Sequence, residues 1–354
     1  MQSKNILNNL YSYVGLILFL FFFVILFRDF LYTYRIQLEK FLPYYPYQDQ
    51  IMYYLTGDKS YDVEAPMNLR FLGLLVQFVI YKIFPCIELN HLKLGEYAYE
   101  NYVCVTYSSA MMNYLSLCGI LSLTFVYCNR KLDLNIGESF FTVFLTYIYL
   151  NHVEAFTLDR ISILYFLFIL YFLNNKVLTL FLIMFAALVN EKIIFILGGV
   201  FFIRLFFEQK KNFKLYFFVT LCSAILAVII FVYYALILKN GYHQGDHVGG
   251  LYDTFFTKGL SRILLMFTNK SGLSNGVMPL ILAILPYSLA YFVKTENKFY
   301  SKFDFLVPLS MVVFTAGGGM EQTGRYVMYT MPIWLPIFSR QIFTILKDTT
   351  KLNV

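Results

Sequence analysis

The chain has 354 residues, of which 59% are hydrophobic and only 14% charged, where an ordinary soluble domain is about 25% charged. Its 39 Phe and 31 Tyr carry more apolar surface than a soluble core can hide, and 28 Lys and Arg against 21 Asp and Glu leave a net charge of +7. A soluble cytoplasmic enzyme, a disordered chain, a coiled coil and a small disulfide scaffold are excluded.

The expected fold is all-α: one polytopic transmembrane helical bundle over residues 1–354, with about nine to eleven spans. The positive charge reads as the cytoplasmic excess of basic residues beside anionic lipid. The basic residues are scattered and form no soluble basic domain, so membrane lipids are expected partners and nucleic acid is not.

The first uncharged run, Tyr11–Phe27, is centred on LILFLFFFVILF. RDFLYTYR follows with no small-x-small cleavage site, which predicts an uncleaved first helix rather than a signal peptide. Residues 30–70 are rich in Tyr and Pro and read as an external loop with interfacial helices. Within it, YQDQIMYYLTGDKSYDVEAPMNLR holds Asp49, Asp58, Asp62 and Glu64. Asp49 and Tyr53 are four apart and would share a helical face. Such a carboxylate could take a proton from a hydroxyl or hold a divalent ion; the plain alternative is a hydrated loop with surface acids. Arg70 opens an apolar run, where it either snorkels to headgroups or holds a phosphate or carboxylate.

Spans are expected within Asn101–Asn129, Leu215–Leu238, Ser271–Val293 and Phe305–Met320, and from Tyr326 to about Ile345. Shorter runs at Phe71–Tyr81, Ser139–Asn151, Ile161–Asn175, Val177–Asn190 and Ile193–Ile203 need polar flanks, tilt or a non-crossing path. NRKLD, EQKKNFK and KTENKFYSK read as cytoplasmic. Residues 151–160, 190–192, 239–276 and 317–325 then fall outside. Eleven crossings would put the N-terminus outside. An internal N-terminus needs one segment that does not cross, and the short Phe71–Pro85 is the favoured one.

Of five cysteines, none forms CxxC. Cys118 and Cys222 read as small core residues. Cys86 and Cys104 could approach each other, though spacing alone shows no bridge, and no metal site is indicated.

Four polar groups interrupt the apolar pattern on the outer side. GGGMEQTGRY places Glu321 and Arg325 four apart, beside Tyr326, after glycines that permit close backbone approach. The two charges either pair simply or serve a site, because charge at this depth is costly. Asn190-Glu191-Lys192 is either a hairpin tip or a charge pair lining a cavity. Asp159 and Arg160 lie near the same face with His152 and Glu154. GYHQGDHVGG brings His243, Asp246 and His247 together without an HExxH pattern, and reads as a glycine-rich loop over a substrate rather than a zinc site. No Walker A, GxGxxG or GxSxG motif occurs in context, and neither a potassium filter nor an Arg-rich voltage helix is present.

An early span, an external loop carrying Asp49, Pro66-x-x-x-Arg70 entering an apolar segment, and Glu321-x-x-x-Arg325-Tyr326 near a late span together resemble the integral-membrane glycosyltransferases of the GT-C type. Asp49, Tyr53 and Gly57 are similar to the first-loop region of several such bacterial families, and Glu191-Lys192 to their K-E element in reversed order. The familiar D-x-D and the C-terminal periplasmic domain are missing. The resemblance implies a donor sugar on a polyprenyl phosphate, a glycan, lipid or protein acceptor, and a place in the bacterial inner membrane. It implies Asp49 as catalytic base or metal ligand and Arg325 at the lipid phosphate. Arg70, Asp58, Glu64, Glu191, Lys192, Glu321 and Tyr326 are the remaining candidate substrate-binding residues. No cofactor is certain, and a divalent metal could take part.

Sugar transfer needs a carboxylate for the acceptor proton and a cation for the leaving phosphate. Asp49 fits the first role, Arg325 or Lys192 the second, and Arg70 could guide the phosphate. A polysaccharide polymerase or ligase is the neighbouring alternative. A transporter or flippase for a lipid-linked saccharide would use Glu191, Glu321 and Arg325 as a gating network.

Overall fold

The structure, a computed structural model, describes residues 2–40, 45–57, 70–84, 86, 100–152, 158–207, 212–239, 249–293, 304–312 and 322–352. Among them the regular structure is all helical. In chain order the helices are α1 (Gln2–Ile25), α2 (Phe27–Lys40), α3 (Tyr45–Thr56), α4 (Phe71–Ile83), α5 (Glu100–Lys131), α6 (Ile136–His152), α7 (Asp159–Phe172) and α8 (Lys176–Val189). Then come α9 (Lys192–Phe207), α10 (Phe213–Lys239), α11 (Gly249–Thr268) and α12 (Lys270–Gly272). A π-turn over Leu273–Val277 leads into α13 (Met278–Val293), followed by α14 (Leu306–Ser310), α15 (Gln322–Tyr329) and α16 (Met331–Leu352).

Among the described residues, three helices are long and apolar enough to cross a membrane: Val103–Lys131, Phe213–Tyr233 and Lys270–Leu289. They differ in what surrounds them. The most apolar window of α5 is 83% buried and that of α10 only 22%. The sequences explain this. α5 carries small polar residues whose hydroxyls bond back to their own helix, Ser108 to the Val105 carbonyl at 2.7 Å and Ser122 to the Cys118 carbonyl at 2.8 Å. Small, internally satisfied residues let helices approach closely in an apolar solvent. α10 instead exposes Leu221, Ile225, Val228, Ile229, Val232 and Leu236, a surface that hydrocarbon solvates and water does not.

The described residues form two compact units. The first comprises residues 1–126, 154–170 and 185–191, and the second 127–153, 171–184 and 192–354.

In the first unit, α1 and α2 run on as one rod. The Leu26 amide donates to the Phe22 carbonyl at 2.9 Å and the Phe30 amide to the Leu26 carbonyl at 3.0 Å, so the α-helical ladder crosses the junction. Together they span about 58 Å, far more than a hydrocarbon core of about 30 Å. The rod is antiparallel to α5. Gly15 packs on Val126, Phe23 and Phe27 on Tyr114, and Phe30 and Tyr34 on Tyr107. The Tyr114 hydroxyl donates to the Phe23 carbonyl. The Tyr34 end of the rod therefore lies beside the beginning of α5.

α4 also returns to the beginning of α5. Gln77 donates to the Val105 carbonyl and the Ser108 hydroxyl, each at 3.4 Å, and Cys86 is disulfide-bonded to Cys104 with the Cα atoms 5.3 Å apart. The structure thus supplies the pairing that spacing left open. Cys118 is buried as expected, while Cys222 is only partly so.

In the second unit, α9 and α10 form an antiparallel pair, with Gly198 facing Ser223 and the Phe201 ring tilted against Tyr216, centroids 5.7 Å apart. Within 239–276, expected as a glycine-containing loop, residues 249–268 are helical. Tyr252, Phe256, Leu260, Ile263 and Phe267 recur at helical spacing, and that periodicity outweighs the glycines at its start. His243, Asp246 and His247 lie outside the described residues.

Digestion without reductant should yield one peptide joining Cys86 to Cys104, separable by reduction, and Cys118 and Cys128 should alkylate only after denaturation. Free alkylation of Cys86 in the native protein under oxidising conditions would contradict this pairing.

Candidate functional site

Three segments of the first unit meet where α4 begins. Arg70 precedes the first turn of α4, Leu158 and Asp159 open α7, and Asn190 and Glu191 form the tip after α8. Gly73 allows the meeting: a Cβ there would stand 3.0 Å from Leu158 Cδ1 and 3.4 Å from the Val189 carbonyl oxygen. Arg70 grips Glu191 with two parallel bonds, Nε to Oε2 at 2.9 Å and Nη2 to Oε1. Both residues are 8% exposed, and Asp159 at the start of α7 and Asn190, next to Glu191, are buried as well. A planar guanidinium meeting a carboxylate edge-on is the strongest form of ion pair. Removing both charges from water is expensive, so the chain keeps them here at a cost that packing alone does not require.

The sequence singled out both members of this pair separately, as a phosphate guide and as part of an intramembrane charge pair. Glu191 was read beside Lys192, but its partner is Arg70, 121 positions earlier.

α3 bears the Asp49, Tyr53, Gly57 triplet. Asp49 and Tyr53 are one turn apart on this helix. Gly57 ends it: the Gly57 amide donates to the Tyr53 carbonyl at 2.8 Å with φ at +70°, the left-handed cap that glycine adopts without strain. The Asp49 side chain lies outside the described residues, as do Asp58, Glu64 and Glu321.

In the second unit, Lys192 and Tyr326 come together, the ammonium 4.9 Å from the ring centroid. α15, which carries Tyr326 and the backbone of Arg325, is seated on the π-turn. A Cβ on Gly324 would stand 1.9 Å from the Asn275 carbonyl oxygen, so only glycine fits. The Arg325 side chain lies outside the described residues. On the next helix, Trp334 meets Tyr149 edge to face at 5.5 Å. Its indole N–H and the Tyr149 hydroxyl are buried without a partner, two donors that an acceptor would satisfy.

A second buried ion pair escaped the sequence reading. Arg204 donates to Asp304 through Nε at 3.0 Å and Nη2 at 2.7 Å, and Asp304 is fully buried. Both residues border apolar runs, Ile193–Ile203 and Phe305–Met320. Their opposite signs on two segments assigned to one membrane side were the available signal. In the same unit, Asn135 and Glu138 cap α6 reciprocally, each side chain accepting the other's amide at 2.9 Å, and Arg340 donates to the Asp133 carbonyl at 2.8 Å. These contacts fasten helix ends and present no reactive group.

Among the described residues, no three His, Cys, Asp or Glu side chains converge to hold a metal ion, so no residue set for a divalent ion is assigned. No protein-family model, curated protein or solved structure matches this chain.

Replacing Arg70 with Ala should destabilise the fold by about 3–5 kcal/mol by stranding the Glu191 charge. The joint change Arg70→Met with Glu191→Leu should cost much less. Thermal unfolding in detergent reads the difference, and equal losses would show that the charges are not coupled. Gly324→Ala should cost about 1–3 kcal/mol through overpacking on the π-turn, seen as a lowered unfolding temperature; an unchanged one would mean α15 is not seated on Asn275.

Proposed function

We propose that this chain is a multi-pass membrane glycosyltransferase with a GT-C-like bundle of about nine to eleven spans. It moves a sugar from a polyprenyl-phosphate carrier to a glycan, lipid or protein acceptor at the outer face of a bacterial cytoplasmic membrane. The observation that carries the reading is the buried Arg70–Glu191 pair where α4, α7 and the tip after α8 meet.

Sidedness is supported by chemistry. A disulfide persists in an oxidising compartment, which argues that the Cys104 end of α5 is extracytoplasmic. The antiparallel rod of α1 and α2 then begins on the cytoplasmic side. α4, tied back to Cys104, is the segment that does not cross. This arrangement agrees with basic NRKLD on the inner side.

The reaction forms a bond from an acceptor hydroxyl oxygen to the anomeric carbon. The bond from that carbon to the phosphate oxygen breaks, and its electron pair leaves with the phosphate. Asp49 receives the hydroxyl proton. Arg70, oriented by Glu191, offers its guanidinium to the developing phosphate charge. Lys192, steadied by the Tyr326 ring, or Arg325, by resemblance, is the alternative cation of the right chemistry for a lipid phosphate.

The test is transfer of radiolabelled sugar from an undecaprenyl-phosphate donor by purified protein in proteoliposomes. Wild-type protein should form product, and Asp49→Asn should lower the rate by about 10²–10⁴-fold without lowering the unfolding temperature. Movement of intact donor across the bilayer without product would replace the transferase with a flippase. Undiminished transfer by Asp49→Asn would remove Asp49 from the reaction.

A further inference from the structure

α4 has a feature that sugar transfer does not use. Phe71, Leu75, Val79 and Ile83 recur every fourth position and form one stripe along the helix. Phe71, Val79 and Ile83 are exposed, Ile83 by 68%. The stripe is about 18 Å long, comparable to one leaflet of a hydrocarbon core about 30 Å thick. At its end stands Lys82, whose ammonium lies 5.5 Å from the Phe78 ring centroid and 5.8 Å from that of Tyr81. No described carboxylate lies within ion-pair distance of Lys82.

Beside Lys82 is a cavity of about 350 Å³, walled by Tyr81, Ile83, Phe84, Tyr107 and the Cys86–Cys104 bridge. The bridge closes one side of this cavity and holds the end of α4 against α5. Tyr81 and Tyr107 line its wall, and Ile83 belongs both to the cavity and to the apolar stripe. The Lys82 cation, aromatic walls and an adjoining apolar track match one kind of molecule: an amphiphile with an anionic head and a chain of one-leaflet length. A polyprenyl chain is several times too long for the stripe.

We propose that the cavity under the Cys86–Cys104 bridge binds the phosphate headgroup of an anionic phospholipid. Lys82 neutralises the phosphate, the tyrosines supply hydrogen-bond donors to the glycerol and phosphoryl oxygens, and an acyl chain lies along Phe71, Val79 and Ile83. The disulfide builds the site by fixing the distance between Lys82 and Tyr107. This inference stands apart from the transferase reading, because it uses none of the residues assigned to sugar transfer.

The test uses full-length protein in nanodiscs of phosphatidylcholine doped with photoactivatable phosphatidylglycerol, with the cross-links mapped by mass spectrometry. Label should appear on peptides covering residues 78–86 and 104–107. It should fall about fivefold in Lys82→Gln, the factor that one cation contributes to anionic-lipid attraction. It should also fall in Cys86→Ser with Cys104→Ser, and stay unchanged in Lys270→Gln, a charge removed elsewhere on the surface. Lys82 is exposed, so Lys82→Gln should fold as the wild type. Equal labelling by photoactivatable phosphatidylcholine, undiminished labelling of Lys82→Gln, or an equal loss in Lys270→Gln would overturn the site. Displacement of the label by equimolar undecaprenyl phosphate would overturn the phospholipid as its occupant.

Discussion

Burying a guanidinium and a carboxylate together fixes the segments that carry them. The Arg70–Glu191 pair does this for the start of α4 and the tip after α8, and Gly73 brings Leu158 of the α7 entrance into the same knot. Neither charge can leave alone without an uncompensated ion remaining behind. The pair therefore constrains three segments that are distant in the chain to one geometry. A hydrophobic knot of similar volume would hold them as well, so the retention of charge is what points to chemistry rather than to stability.

The Cys86–Cys104 bridge holds the other end of α4. One end of the helix is pinned by an ion pair, the other by a covalent bond, and Gln77 ties its middle to α5 between them. A helix held at three points is a rigid carrier for whatever stands on it. Arg70 sits at one end and Lys82 at the other, so the buried ion pair and the cavity beside the disulfide share one support without sharing residues.

The second unit solves the same problem of polar groups in apolar surroundings by different means. Arg204 and Asp304 pair completely. Asn135 and Glu138 satisfy each other's amides at the start of α6. The Trp334 indole and Tyr149 hydroxyl remain as donors without acceptors, and Gly324 lets α15 rest directly on the π-turn. Irregular helix geometry of this kind is often found at functional sites, and here it sets the position of Tyr326 against Lys192.

The sequence by itself determined the helical class, because 59% hydrophobic residues with long uncharged runs admit little else. It also determined, within a few residues, the three described helices long and apolar enough to cross a membrane, since hydropathy over about 20 residues is a local property. It marked Arg70, Glu191, Lys192 and Tyr326 as candidate site residues. It could not say that Arg70 faces Glu191, that Lys192 faces Tyr326, or that Arg204 meets Asp304. Those partners are separated by 121, 134 and 100 positions, and no local period encodes so distant a pairing. The direction of α1 against α5 and the closing of Cys86 on Cys104 were likewise decided only in three dimensions. Residue spacing along a chain sets which faces are apolar, whereas the packing of those faces sets which charges meet.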